Sequence, residues 1–167
     1  MPEMVIVGDT HVPSRAQSIP DWIADLLEGA DHAIHTGDFD DPDALQRVRH
    51  LAGGELTAVS GNMDPSAVDL PKVATLDVEE VWFVVTHGTG SPRGWADRIA
   101  ETVHEHAAPD RANVGVAGHT HEVTDRVYDG IRILNPGSAT GAPPAEEETA
   151  MVVGVDGDEI DVAVRRK

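Results

Sequence analysis

Val114-Gly115-Val116-Ala117-Gly118-His119-Thr120-His121 is a short apolar run closed by a glycine and by two histidines either side of one threonine. In extended backbone, residues two apart point the same way, so both imidazoles leave the strand end on one face. A single His-X-His pair is more often two surface histidines than a metal site. Its weight comes from the other end of the chain, where Met4-Val5-Ile6-Val7 runs into Gly8-Asp9-Thr10-His11 with the same construction.

Working outward, three more apolar stretches end alike: 33–36 before Gly37-Asp38, 56–60 before Gly61-Asn62, and 81–86 before His87-Gly88. In α/β sheets, sites form outside the carboxyl ends of the strands, and glycine lets the backbone turn sharply and approach an ion or phosphate. Together the five endings supply Asp9, His11, Asp38, Asn62, His87, His119 and His121. These donors are too many for one tetrahedral zinc and suit two ions that share a carboxylate.

The intervening pattern is mixed α/β. Helices are expected over 19–27, capped by Ser18 with Pro20 in the first turn, over 43–51 behind Asp41-Pro42-Asp43, and over 94–105 with Trp95, Ile99 and Val103 at four-residue spacing. After Pro71 the strands 72–76 and 81–86 are close enough for an antiparallel pair. Hairpins are expected around Asp129-Gly130 and Asp156-Gly157, and Gly141 to Glu148 reads as an exposed loop. Early β-α-β units and a later antiparallel half would bury both patterns as two face-to-face sheets with helices outside.

Length and composition bound the function. The chain has 167 residues, enough for one well-filled domain and too few to split comfortably, so 1–167 is read as a single domain. It has no cysteine, which excludes disulfides and thiolate ligands and leaves His, Asp, Glu and Asn as metal donors. No apolar run reaches membrane-span length, and Met1-Pro2-Glu3-Met4 lacks the blocks of a signal peptide, so a cytoplasmic protein is expected. Thirty acidic residues oppose 12 basic ones, of which only Lys72 and Lys167 are lysines, for a net charge of -18. That charge argues against nucleic-acid backbones and anionic membranes as partners. Its self-repulsion weakens a compact chain unless salt screens it, which points to a halophilic source.

Taken jointly, Gly8-Asp9-Thr10-His11, Gly37-Asp38, Gly61-Asn62-Met63-Asp64, Thr86-His87-Gly88, Gly118-His119-Thr120-His121 and Asn135-Pro136-Gly137-Ser138 resemble the motifs of the calcineurin-like metallophosphoesterases. The likeness is greatest to the small prokaryotic phosphodiesterases of that superfamily, and it spans residues 5–138 in family order. The resemblance implies a four-layer α-β-β-α sandwich. It also implies Asp9, His11, Asp38 and His121 on one ion and Asp38, Asn62, His87 and His119 on the other, with Asp38 as the bridge and Asp38, Asn62 and His87 serving the catalytic step. Manganese is the expected metal, with iron, zinc or nickel as alternatives. Two divalent ions carry roughly +4, the two aspartates remove two, and a bridging hydroxide, the expected nucleophile, leaves about +1 to draw in a phosphate ester. A homodimer is a further expectation. The rival reading is a non-catalytic scaffold, because a retromer subunit uses this fold mainly for protein interaction.

Other residues carry weaker signals. Asp40 and Asp64 are candidates to hold ligand histidines, although capping and turn roles weigh more. His35 reads as a packed histidine, His32, His50, His104 and His106 as surface, Arg93 as solvated, and Ser138 as part of a turn supporting the site. Met63 follows Asn62 where larger phosphatases of the superfamily have a histidine that protonates the leaving group. The charge yields the first test: melting temperature should rise as potassium chloride is raised toward molar, where the Debye length falls to about 3 Å. A flat or falling curve would sink the halophilic reading.

Overall fold

The computed structural model describes all 167 residues. Strands β1 (Glu3–Val7), β2 (His32–His35) and β3 (Leu56–Ala58) pair in parallel, and β9 (Thr149–Asp156) and β10 (Glu159–Arg166) extend them antiparallel on the β1 side. The order of this first sheet is β10-β9-β1-β2-β3. A second sheet has the order β4-β5-β6-β8-β7, built from β4 (Val73–Val78), β5 (Val81–Thr86), β6 (Ala112–Val116), β7 (Thr124–Tyr128) and β8 (Ile131–Asn135).

Alternation along the strands builds the layers. In β1, Met4 and Ile6 join Phe83, Val85, Val114 and Val116 of the second sheet in one buried cluster. Val5 and Val7 turn the other way, onto Ile23 and Leu27 of α1 (Asp21–Gly29) and Leu45 and Val48 of α2 (Pro42–Leu51). A strand buried on both faces has to read as a continuous apolar run, as this one does. On the far face of the second sheet, α3 (Trp95–Glu105) lays Trp95, Ile99 and Val103 against Val84, Ala117 and Ile133. The result is the four-layer α-β-β-α sandwich that the strand pattern and the resemblance imply. Each fully buried aliphatic or aromatic side chain in these clusters contributes about 1.5–3 kcal/mol of transfer free energy.

Three details differ from expectation. Helix α1 starts at Asp21, two residues late, with Pro20 at the N-cap position and no side-chain cap, so Ser18 does not cap it. The ring of Pro20 disfavours helical backbone at Ile19, which moves the start past the proline. The later half is not purely antiparallel: α3 returns the chain so that β5 and β6 pair in parallel, and β8 adds in parallel to β6. Within 141–148, Ala142 is buried at 1 % exposure, so that loop is anchored at its start. In α2 the side chain of Asp41 accepts from the Asp43 amide, as its position before Pro42 implies. No helix is long and apolar enough to cross a membrane.

Candidate metal centre

The carboxyl ends of β1, β2, β3, β5 and β6 meet, and the loops that follow them bring all seven expected donors together. Asp9, His11 and His121 form one buried group, and Asp38, His87 and His119 form a second. The two groups touch at Asp38, whose Oδ2 lies 3.5 Å from His11 Nε2 and 3.1 Å from His87 Nε2. Asp9 Oδ1 also faces both, 3.5 Å from His121 Nε2 and 3.8 Å from His87 Nε2. Asn62 completes the second group from the solvent side, its Oδ1 3.1 Å from His119 Nδ1.

Hydrogen bonding fixes which nitrogen of each ring is free. His11 Nδ1 lies 2.9 Å from Asp40 Oδ1, His121 Nδ1 2.8 Å from the Ala142 carbonyl, His87 Nδ1 2.7 Å from the Thr36 carbonyl, and His119 Nε2 2.8 Å from the Gly90 carbonyl. Each partner can only accept, so each of those nitrogens carries the proton. In the neutral rings the remaining four nitrogens then present lone pairs inward. His11 Nε2 and His121 Nε2 face each other at 3.3 Å, as do His119 Nδ1 and His87 Nε2. Asp9 Oδ1 is buried with no hydrogen-bond partner. Converging acceptors without donors are costly in a dry site unless a cation lies among them. The residues therefore fit divalent metal, and the arrangement in which each ligand histidine donates its other N–H to an acceptor is the one metal sites use.

The proton equilibria follow the same logic. Burial pushes the Asp9 carboxyl up to about 7, against the pull of His87. Burial also works to raise Asp38, but hydrogen bonding and charge from His87, with the Met63 amide, hold it below the ordinary carboxylate range. Although burial opposes it, the carboxylates of Asp38 and Asp9 raise His87, while burial lowers His119 and His121. A divalent ion would displace these protons and remove the burial penalty on Asp9.

Backbone strain concentrates here. Of nine non-glycine residues with positive φ, six are Asp9, His11, Asp38, Asp40, His119 and His121, with φ from 47° to 78°. Such conformations cost on the order of 1–3 kcal/mol each and persist where function and surrounding structure demand them. Close approach requires glycine beside both buried carboxylates. A Cβ on Gly61 would fall 2.0 Å from Asp38 Oδ1, and one on Gly118 would fall 2.5 Å from Thr36 Oγ1 and 2.8 Å from Asp9 Oδ2.

The supporting residues divide more finely than the sequence suggests. Asp40 holds His11 and also accepts from the Ser14 hydroxyl, so for it the ligand-holding role prevails. Asp64 accepts the backbone N–H groups of Asp38, Asp40 and Gly61, which is a turn role. Those bonds also account for the close approach of Asp38, Asp40 and Asp64 without a further ion. His35 is fully buried, stacked on Phe39 at 3.6 Å, and its Nδ1 accepts from the Gly37 amide. Ser138 donates to the Asp9 carbonyl and accepts from the Ala142 amide, bracing the loop that holds His121. Sequence reasoning missed Arg98, which donates to the carbonyls of Gly88, Ser91 and Arg93 and shapes the loop that carries the His119 acceptor. It also missed the carbonyls of Thr36, Gly90 and Ala142, since a backbone acceptor leaves no trace in residue identity.

With the geometry in view, comparison with known proteins decides the family. The sequence profile of the calcineurin-like phosphoesterase superfamily domain matches residues 3–158. The chain belongs to that superfamily. It is 32% identical over 162 residues to a probable metallophosphoesterase of Methanothermobacter thermautotrophicus, covering 96% of this chain and 90% of the relative. The solution structure of a Thermotoga maritima protein is 33% identical, covers all of both chains and superimposes with a TM-score of 0.76. Vps29 of Entamoeba histolytica, solved with zinc, superimposes with a TM-score of 0.74 at 23% identity, covering 99% of this chain and 98% of that one. This last likeness shows the fold alone. Membership makes the protein a phosphoesterase-family chain with a metal-binding constellation.

Asp40 gives the centre a direct test. Asp40→Ala removes the acceptor of His11 and should weaken divalent-metal binding at the group that contains His11 by about 10–100-fold. Manganese titration of native and variant protein reads this; unchanged affinities would show that His11 needs no such support.

Proposed function

We propose that the protein is a phosphodiesterase working with two divalent ions, manganese being the expected metal. The observation that carries this reading is the meeting of two donor groups at one atom, Asp38 Oδ2, between His11 Nε2 and His87 Nε2. Asp9, His11, Asp38 and His121 would hold one ion, and Asp38, Asn62, His87 and His119 the other. When bound, the ions supply Lewis-acid charge for the phosphoryl oxygens and acidify the water that attacks phosphorus.

The chain's own residues set the rest. Asp38 fixes the spacing of the two ion positions and is itself held by the Met63 amide, which donates to its Oδ1 at 2.9 Å. Asn62 is exposed, so the ester enters from its side. The position after Asn62 offers no proton for the leaving group. Met63 stands 49% exposed instead of packing under the turn, and His87 is buried with Nδ1 on Thr36 and Nε2 on Asp38. General acid help is worth about 10²–10⁴ in rate and matters most for poor leaving groups. Activated diesters should therefore react well and simple alkyl esters poorly. The composition adds the expectation of a cytoplasmic, salt-adapted protein.

A non-catalytic scaffold of the same fold is the rival reading, and the filling of every donor position favours the enzyme. Hydrolysis of aryl phosphodiesters with leaving groups of graded pKa, at high salt with manganese, tests the choice. The native protein should show a steep dependence that flattens in Met63→His. A protein that binds two ions and hydrolyses no diester would be the scaffold.

A further inference from the structure

Beside the centre, on the His87 side, lies a cleft of about 200 Å³. Its polar wall is made by Ser60, Lys72, Thr86, His87, Thr89, Arg98 and Thr102, whose hydroxyl is taken by the Arg98 carbonyl, and no Asp or Glu lines it. That is unusual in a chain with 30 carboxylates: each of three larger clefts carries at least two of them. Lys72 is one of only two lysines, and it precedes Val73, which pairs with Thr86 at the strand end that leads to His87. The Arg98 guanidinium is held in place by the Gly88, Ser91 and Arg93 carbonyls. The ion pairs that arginine makes with carboxylates use Arg111, Arg132 and Arg166, so both cations of the cleft are without a carboxylate partner.

Two cations and three hydroxyls, clear of carboxylates and sharing a wall with the metal centre, make a donor set for a tetrahedral oxyanion. We propose that this cleft receives a second phosphate of the substrate, so that the preferred substrates are phosphodiesters carrying another phosphate near the scissile one. This rests on the phosphodiesterase reading and deepens it. On a surface of net charge -18, a second phosphate elsewhere would meet repulsion, and this cleft removes that penalty. Lys72 supplies the mobile charge, and Arg98 supplies the fixed one.

The test uses a matched pair with the manganese-loaded protein: thymidine 5'-(4-nitrophenyl phosphate) and the same ester bearing a 3'-phosphate. The 3'-phosphate should raise kcat/KM about tenfold, mainly through KM, which is the scale of one charge-assisted hydrogen bond. Lys72→Met should bring the ratio near one, and Lys72→Arg should restore most of it. A native ratio of one or less, or a ratio unchanged in Lys72→Met, overturns the proposal. If neither ester is hydrolysed, the phosphodiesterase reading fails, and calorimetry then reads the cleft alone. Thymidine 3',5'-bisphosphate should bind about tenfold more tightly than thymidine 5'-monophosphate in the native protein only. Equal binding of the two overturns the cleft assignment.

Discussion

Oδ2 of Asp38 lies between imidazole nitrogens from two different loops, 3.5 Å from His11 Nε2 and 3.1 Å from His87 Nε2, and the arrangement around it depends on that shared atom. With the rings neutral, four imidazole lone pairs and two carboxylates point inward, and the proton of each ring is turned outward onto an acceptor. A divalent ion among these groups would relieve their mutual repulsion. The strained backbone at Asp9, His11, Asp38, His119 and His121 belongs to the same account. Those residues leave extended strands and must turn within one or two positions to face a common point.

The sandwich makes that convergence available. Parallel strands in both sheets end at one edge, and the apolar layers beneath them are rigid enough to hold loops at fixed spacing. Glycines at 61 and 118 let neighbouring loops approach within contact of the ligand carboxylates. Ser138, Asp64 and Arg98 then fasten those loops from behind through backbone groups. The centre is thus held by hydrogen bonds to main chain more than by side chains touching side chains.

Much of this was legible in the residues. The strand-glycine-donor endings predicted which seven side chains meet, because a carboxyl strand end fixes position and a glycine permits the turn. The two face-to-face sheets followed from early β-α-β units and later hairpins, whose apolar patterns need cover on both sides. What was not legible depended on distance through space. Asp40 could be read as a turn residue or as a histidine's partner, and only the fold puts its carboxylate beside His11. The start of α1 was misplaced because the restriction that Pro20 puts on Ile19 outweighs the capping tendency of Ser18. Arg98 gave no signal, since its partners are carbonyls of a glycine-rich loop.

The surface and the centre make opposite electrostatic demands. Thirty carboxylates would repel an anionic ester, while divalent ions at the donor groups and the Lys72–Arg98 cleft would attract it over a few ångströms. High salt would reconcile them by screening the long-range part and sparing the contacts. The central claim is that one carboxylate serves two ions, and calorimetric titration of manganese into metal-stripped protein tests it most directly, with native chain beside Asp38→Ala. The expected result is two ions per native chain and weakened binding of both in the variant. A single ion per native chain, or a variant that keeps one ion at native affinity, would contradict it.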